Sequence, residues 1–554
     1  MPDPYTPNRK LRFDADKLRR MRNPWRWIAI TVFVVVFGGS VVVSQRQIAL
    51  PQDLKQALIR YARVLHRTHD AYGTEVSYQE LVEASINGML RTLDPHTNFL
   101  PKEMYDELRE RQQASFSGLG ILIGMRNSRL TVVTPVEGTP AWRAGIRAGD
   151  VISAIEGETT SGMNLNEAVR QLKGPQGTTV NITVERRGLS EAFDLAITRD
   201  EIPQNTVAYS YMLDQKTGYI MLTDFSHSST QEMLDAMDSL KQQGMVNLVL
   251  DLRGNGGGLL DQAVEVSEIF VPAGSRIVET RGRTPGSGQT YAADSGSVPA
   301  DLPLVILVGP ATASASEIVS GAVQDHDVGL IVGEATWGKG LVQTVYNISH
   351  GNGVALTTAK YYTPSGRLIQ RDYSSWFDYT TRSDDSYADN DNDPTYSTDL
   401  GRTVLGGGGI TPDYIVEPAE IPEFIGYLFV HNAFFNYAVE YQNRSPLSDP
   451  VWQEPADLVA QFGNWLIEQE IVSQGELDEG YGDAEIQAYV LRRLRAEILG
   501  AAFGLGARSR ELALSDPQVL EALARFPTAA ELLAARSALD AGDEEKPLSQ
   551  EVRG

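Results

Sequence analysis

Between Leu302 and Gln343 the chain reads "LPLVILVGPATASASEIVSGAVQDHDVGLIVGEATWGKGLVQ", and no other stretch limits its fold and chemistry as tightly. An apolar strand, Leu302–Val308, runs into a small-residue turn that holds Ser314 and Ser316, and then into a helix. A serine at a strand-to-helix turn has its hydroxyl exposed beside the helix's unpaired N–H groups. Lys339 follows in Trp337-Gly338-Lys339-Gly340, with Gln343 on the next turn of sequence. A lysine between glycines in an apolar strand region can lose its proton and act as a base. The pattern predicts a Ser/Lys dyad performing acyl transfer, and spacing leaves Ser314 and Ser316 equally open as the nucleophile.

The rest of the chain supplies a frame for that site. Short apolar strands alternate with helical stretches from Gly218 to Gln370: "GYIML", "LVLDLRGNGGG", the helix Asp261–Phe270, "LPLVILVG", "GLIVGE" and "GVALTTAKYY". This alternation predicts a layered α/β core. Residues 50–112 read as helical, with Leu54, Leu58, Tyr61, Val64 and Leu65 at helical spacing, until "LDPHTNFL" breaks the pattern. Residues 113–200 read as a small β-rich module with a helix at Leu165–Leu172. Residues 201–419 form the core, interrupted by an acidic, aromatic and aperiodic stretch at 372–400 that reads as a solvated insertion. Asp389, Asp391 and Asp393 there mimic the start of a calcium loop without its glycine or closing glutamate. Residues 420–540 read as helices, expected to pack on the core or to offer an oligomer or adaptor surface, and 541–554 as a disordered tail.

Composition excludes several classes. With no cysteine there is no disulfide, thiolate zinc site or cysteine nucleophile. The net charge is −24, yet residues 1–26 hold eight Arg/Lys against three Asp, so the remainder is strongly acidic and unsuited to nucleic acid. The basic block abuts the apolar run Trp27–Val43. By the positive-inside rule this predicts a membrane anchor, residues 27–44, with the chain beyond Ser44 outside the cytoplasm. A cleaved signal peptide ending near Val42-Val43-Ser44 is the rival reading.

Six motifs occur in a shared order: "LDPHTNFL", "FSGLGI", "DLRGNGGGLLDQAVEVSEIF", "SASEI", "GKGLVQ" and "AKYYTPSGRLIQ", with "GGGGITPD" after them. In this the chain resembles the C-terminal processing (tail-specific) serine peptidases from about Leu54 to Asp413. The resemblance implies a crotonase-like serine peptidase core with an inserted PDZ domain and no cofactor or metal. It implies Ser314 as nucleophile, Lys339 as general base and Gln343 as the residue that positions the lysine amine. Ala315 would give one backbone N–H to the oxyanion and Gly257 or Gly258 a second. Gly256 stands where the family usually has proline, which loosens the turn. Asp251 and Arg253 read as structural, and Glu317 as a first-turn helix residue.

The module at 113–200 has its own logic. Gly118, Leu119, Gly120 and Ile121 would present backbone N–H groups to a terminal carboxylate, and the following strand would take the peptide as an extra strand. The expected partners are protein substrates with exposed apolar C-termini, cleaved in the periplasm, with a homo-oligomer or adaptor docked through the C-terminal helices. A Ser-His-Asp protease is the competing enzyme reading. None of the seven histidines sits in a motif that supplies such a base. A catalytically silent PDZ scaffold is the competing non-enzyme reading, opposed by the intact Ser314, Lys339 and Gln343.

Overall fold

The computed structural model describes residues 51–294, 301–374, 379 and 394–542. The basic segment, the Trp27–Val43 run, Asp389, Asp391, Asp393 and residues 543–554 lie outside the described residues. No helix among the described residues is long and apolar enough to cross a membrane. The chain divides into two units between Gly88 and Met89. The first holds the helix Gln52–Ala71 and most of Tyr78–Leu90.

In the second unit the central element is a sheet of six strands among the described residues. Its order is Val207–Met212, Thr217–Leu222, Asn247–Asp251, Leu304–Val308, Leu330–Gly333 and Tyr414–Ile415. Only the first pair is antiparallel. Alternate side chains of each strand enter opposite cores, because successive residues of a strand point to opposite faces. Leu248, Leu250, Ile306, Val308 and Ile331 meet the helices Ser229–Gln242, Leu260–Glu268 and Ala315–Asp325. Val249, Val305, Leu307, Leu330 and Val332 meet Val519, Ala522, Phe526, Ala529 and Leu532 of the C-terminal helices. Helices Pro517–Ala524 and Phe526–Asp540 are thus the second cover of the sheet.

A second sheet is built around the long strand Gly353–Tyr362, with Leu341–Asn347 along one side and Arg276–Gly282 and Asn98–Leu100 on the other. The region 50–112 is therefore not wholly helical: Asn98–Leu100, inside "LDPHTNFL", joins the core as a strand. The helices Glu423–Val430, Ala433–Arg444, Leu458–Glu468 and Ala484–Phe503 share a separate core around Phe434, Tyr437, Phe462 and Leu494.

The reading of 372–400 as a solvated insertion needs correction at its described ends. Tyr379 is buried, Thr395–Ser397 pairs with Thr403–Leu405, and Asp399 bonds His326 Nδ1 at 2.8 Å. Composition misleads only in part: Asp372, Ser374, Thr395, Ser397 and Asp399 stay exposed, while Tyr379 and Thr398 are buried and Asp399 reaches the buried His326.

Residues 121–198 form a curled antiparallel sheet in the order Ile121–Arg126, Arg129–Pro135, Val151–Ile155, Thr179–Glu185, Phe193–Thr198. The helix Leu165–Leu172 lies over it, capped by Asn164 Oδ1 accepting from Glu167 N–H at 2.9 Å. Among the described residues strand Ile121–Arg126 pairs on one side only, as an edge strand of this sheet. Ile121 and Ile123 pack into the same cluster as Ala168 and Leu172.

Candidate active site

The two serines left open by spacing part company in the structure. Ser316 is fully buried and its Oγ donates to the Asn255 carbonyl at 3.0 Å. Ser314 immediately precedes the helix Ala315–Asp325 and lines a cleft of about 390 Å³. Its φ of 57° is a left-handed value that a non-glycine residue adopts only when its surroundings enforce it. Lys339 lines the same cleft from a non-repetitive segment just before strand Leu341–Asn347, not from a strand itself. Its Nζ donates to Gln343 Oε1 at 3.3 Å and makes no hydrogen bond to Ser314 among the described residues. Apolar cleft-lining residues include Leu100, Phe225, Leu260, Ile318 and Val342.

Burial pushes the Lys339 amine below its ordinary range, helped by the Arg111 charge and opposed by the charges of Glu317 and Asp94. Burial is the larger effect, since an ammonium ion loses more hydration on leaving water than a neutral amine does. Gln343 is held in turn: its Nε2 donates to the His96 carbonyl. His96 belongs to "LDPHTNFL", and its ring meets the Tyr379 hydroxyl. Burial and the nearby Lys339 charge push the His96 ring down to about 4. The identity of His96 gives no signal of this role, since every residue carries a backbone carbonyl. Here the backbone carbonyl does the holding.

The glycine turn after Asp251 completes the cleft. Gly257 has φ 96°, and a Cβ there would lie 2.8 Å from Ser314 Cβ and 2.9 Å from Ala315 N. No side chain fits between this turn and the serine. The Gly257 N–H already donates to Asn255 Oδ1 at 2.9 Å. The N–H groups of Gly258 and Ala315 bond no described residue. Asp251 and Arg253 are structural as expected: the guanidinium holds Asp251 Oδ2 at 2.6 Å. No cluster of metal-ligating side chains occurs among the described residues.

Comparison with known proteins decides the family. The sequence is 38% identical to a carboxy-terminal-processing protease of Bartonella bacilliformis over 351 residues, covering 62% of this chain and 80% of that one. This chain belongs to peptidase family S41. The family model matches residues 216–373, and a PDZ domain model matches residues 131–186. The family S41 member is also 35% identical to carboxy-terminal processing protease CtpA of Bacillus subtilis, over 62% of this chain and 72% of that one. Among solved structures it is similar to a photosystem II D1 C-terminal processing protease, at 34% identity, 55% and 83% coverage of the two chains, and a TM-score of 0.32. This peptidase is thus a C-terminal processing serine protease with a PDZ domain.

Gly118 ends strand Ser115–Gly118, and Ile121 opens the edge strand of the PDZ sheet. Gly120 has φ 76°, and its carbonyl accepts from Val136 N–H at 2.9 Å and Thr139 Oγ1 at 3.1 Å. The Leu119 carbonyl accepts from Ala141 N–H at 2.9 Å. These bonds use the carbonyls and turn the segment's N–H groups elsewhere.

Proposed function

We propose that this peptidase cleaves unstructured protein chains by a Ser314/Lys339 dyad, selecting them by a free, apolar C-terminus bound at the PDZ edge strand. The observation that carries the reading is the shared cleft. Ser314 and a lysine whose amine is depressed by burial face the same space, and Gln343 holds that amine at 3.3 Å. In the reaction, neutral Lys339 Nζ takes the Ser314 proton as Oγ attacks the scissile carbonyl. The resulting ammonium gives that proton to the leaving amine, and the acyl-enzyme is then hydrolysed by water activated through the same amine.

The oxyanion would be met by the N–H groups of Ala315 and Gly258, both without a described partner. Gly257 serves better as space than as donor, since its N–H is engaged by Asn255. At the PDZ module, the N–H groups of Leu119, Gly120 and Ile121 would take the terminal carboxylate, with Gly118 leading into the turn. The open edge of Ile121–Arg126 would add the peptide as a strand. The apolar run Trp27–Val43 behind eight basic residues supports attachment to a membrane with the peptidase in the periplasm.

The test is proteolysis of an unstructured protein with an apolar C-terminus by the full chain, beside Ser314→Ala and Lys339→Ala. Cleavage by the parent alone is expected, with slower cleavage of an amidated or charged tail. Cleavage retained by Ser314→Ala would place the nucleophile elsewhere, and equal cleavage of an amidated tail would remove carboxylate reading.

A further inference from the structure

Glu317 occupies the first turn of the helix that Ser314 opens, where a glutamate ordinarily stays hydrated and caps its own helix. Here it is fully buried. Its Oε2 accepts from Ser314 N–H at 2.7 Å and from Lys339 N–H at 2.9 Å. Its Oε1 accepts from Gly338 N–H at 2.7 Å and from Thr336 Oγ1 at 2.5 Å. One carboxylate oxygen therefore joins the backbones of the serine and the lysine. Burial pushes the carboxyl upward, and the three N–H groups and the Thr336 hydroxyl oppose that shift by favouring the ionised form.

Tyr361 does the converse from strand Gly353–Tyr362. Its side chain is fully buried, and its hydroxyl lies 3.1 Å from the Ser314 carbonyl and also donates to the Lys339 carbonyl. The same two residues are thus joined through their N–H groups at Glu317, while their C=O groups share the single O–H of Tyr361. We propose that Glu317 and Tyr361 are positioning residues that fix the approach of Ser314 to Lys339 by gripping both backbones at once.

The need for such a grip follows from local structure. Ser314 sits at a strained φ, and Lys339 lies in a segment with no regular secondary structure to hold it. Burying a carboxylate is costly unless its hydrogen bonds are complete, so this one gains nothing by burial except those bonds. Reacting groups that drift by about 1 Å lose on the order of a hundredfold in rate. The grip also sets charge near the amine. The groups acting on Lys339 are Glu317 and Asp94, which favour the ammonium, and Arg111, which disfavours it, with His96 close by.

The inference rests on the Ser314/Lys339 reading, and the test separates the two. Full-length parent, Ser314→Ala, Tyr361→Phe and Glu317→Gln are compared for kcat, KM, pH profile and thermal unfolding. Tyr361→Phe is expected to lose about tenfold in kcat with KM unchanged, since only the phenolic donor is gone. Glu317→Gln is expected to lose on the order of a hundredfold in kcat. Its residual activity should show an acid limb moved to lower pH, because Lys339 loses a neighbouring negative charge. A merely structural glutamate would lower the unfolding temperature and leave that limb in place. If Glu317→Gln does not fold, Tyr361→Phe decides alone. Tyr361→Phe within about twofold of the parent in kcat, with Ser314→Ala inactive, overturns the grip and leaves the dyad standing. Activity retained by Ser314→Ala instead overturns the dyad reading itself.

Discussion

Arg253 and Asp516, separated by 263 positions, meet at 2.7 Å beside the outer face of the central sheet. The same guanidinium nitrogen donates to Gln518 Oε1 at 2.7 Å, while the rest of the group grips Asp251. Arg253 precedes the glycine turn that lines the cleft, and Asp516 caps the helix Pro517–Ala524 by accepting from Gln518 N–H at 2.9 Å. The start of the C-terminal cover is therefore tied directly to the root of the active-site turn.

Removing residues 515–554 should leave no soluble, folded peptidase, because Val249, Val305, Leu307 and Val332 would then face water. The milder change Phe526→Ala is expected to cost about 3–5 kcal/mol in denaturant unfolding. A truncated chain with parental activity and unfolding temperature would show that this face is not core.

Gly257→Ala should fold and cleave far more slowly than the parent. The substitution places a methyl group 2.8 Å from Ser314 Cβ at φ 96°, a strain of about 1–3 kcal/mol. Crowding of the Ala315 N–H should lower kcat on the order of a hundredfold. Parental kcat in a folded variant counts against this account of the turn.

The pH dependence of kcat/KM should show an acid limb whose midpoint lies below the free-lysine value of 10.5. The sign follows from the chemistry: a protonated amine cannot take the serine proton, and burial favours the neutral form, so activity appears at lower pH than an exposed lysine allows. His96, already neutral above about 4, is not the titrating group. A midpoint at 10.5 or higher would mean that the amine is not desolvated.

Arg367 and Asp325 form a fully buried ion pair at 2.7 Å, with Arg367 also donating to the Leu405 carbonyl at 3.0 Å. Arg367→Met should destabilise the fold by about 3–5 kcal/mol, because it leaves a buried charge uncompensated. Adding Asp325→Leu should recover part of that loss. Calorimetric unfolding of both variants measures the difference, and no recovery would mean that the pair is held by shape instead of charge.

The sequence by itself determined the peptidase family and the order of the parts. "SASEI", "GKGLVQ" and the PDZ turn are short runs in which neighbouring residues act together, so adjacency records them. Periodicity likewise located the sheet strands and the helix Leu165–Leu172, because burial on known faces leaves a repeat in the chain. Spacing left Ser314 and Ser316 equal and the motif order favoured Ser314, but only the tertiary structure decided that the Gly257 N–H is taken by Asn255 and that the His96 carbonyl holds Gln343. It also showed that Glu317, a first-turn helix residue as read, reaches on to Lys339, and that the C-terminal helices wall the core. These are contacts across long stretches of chain, and a residue's own neighbours carry no record of what the closed fold brings against it.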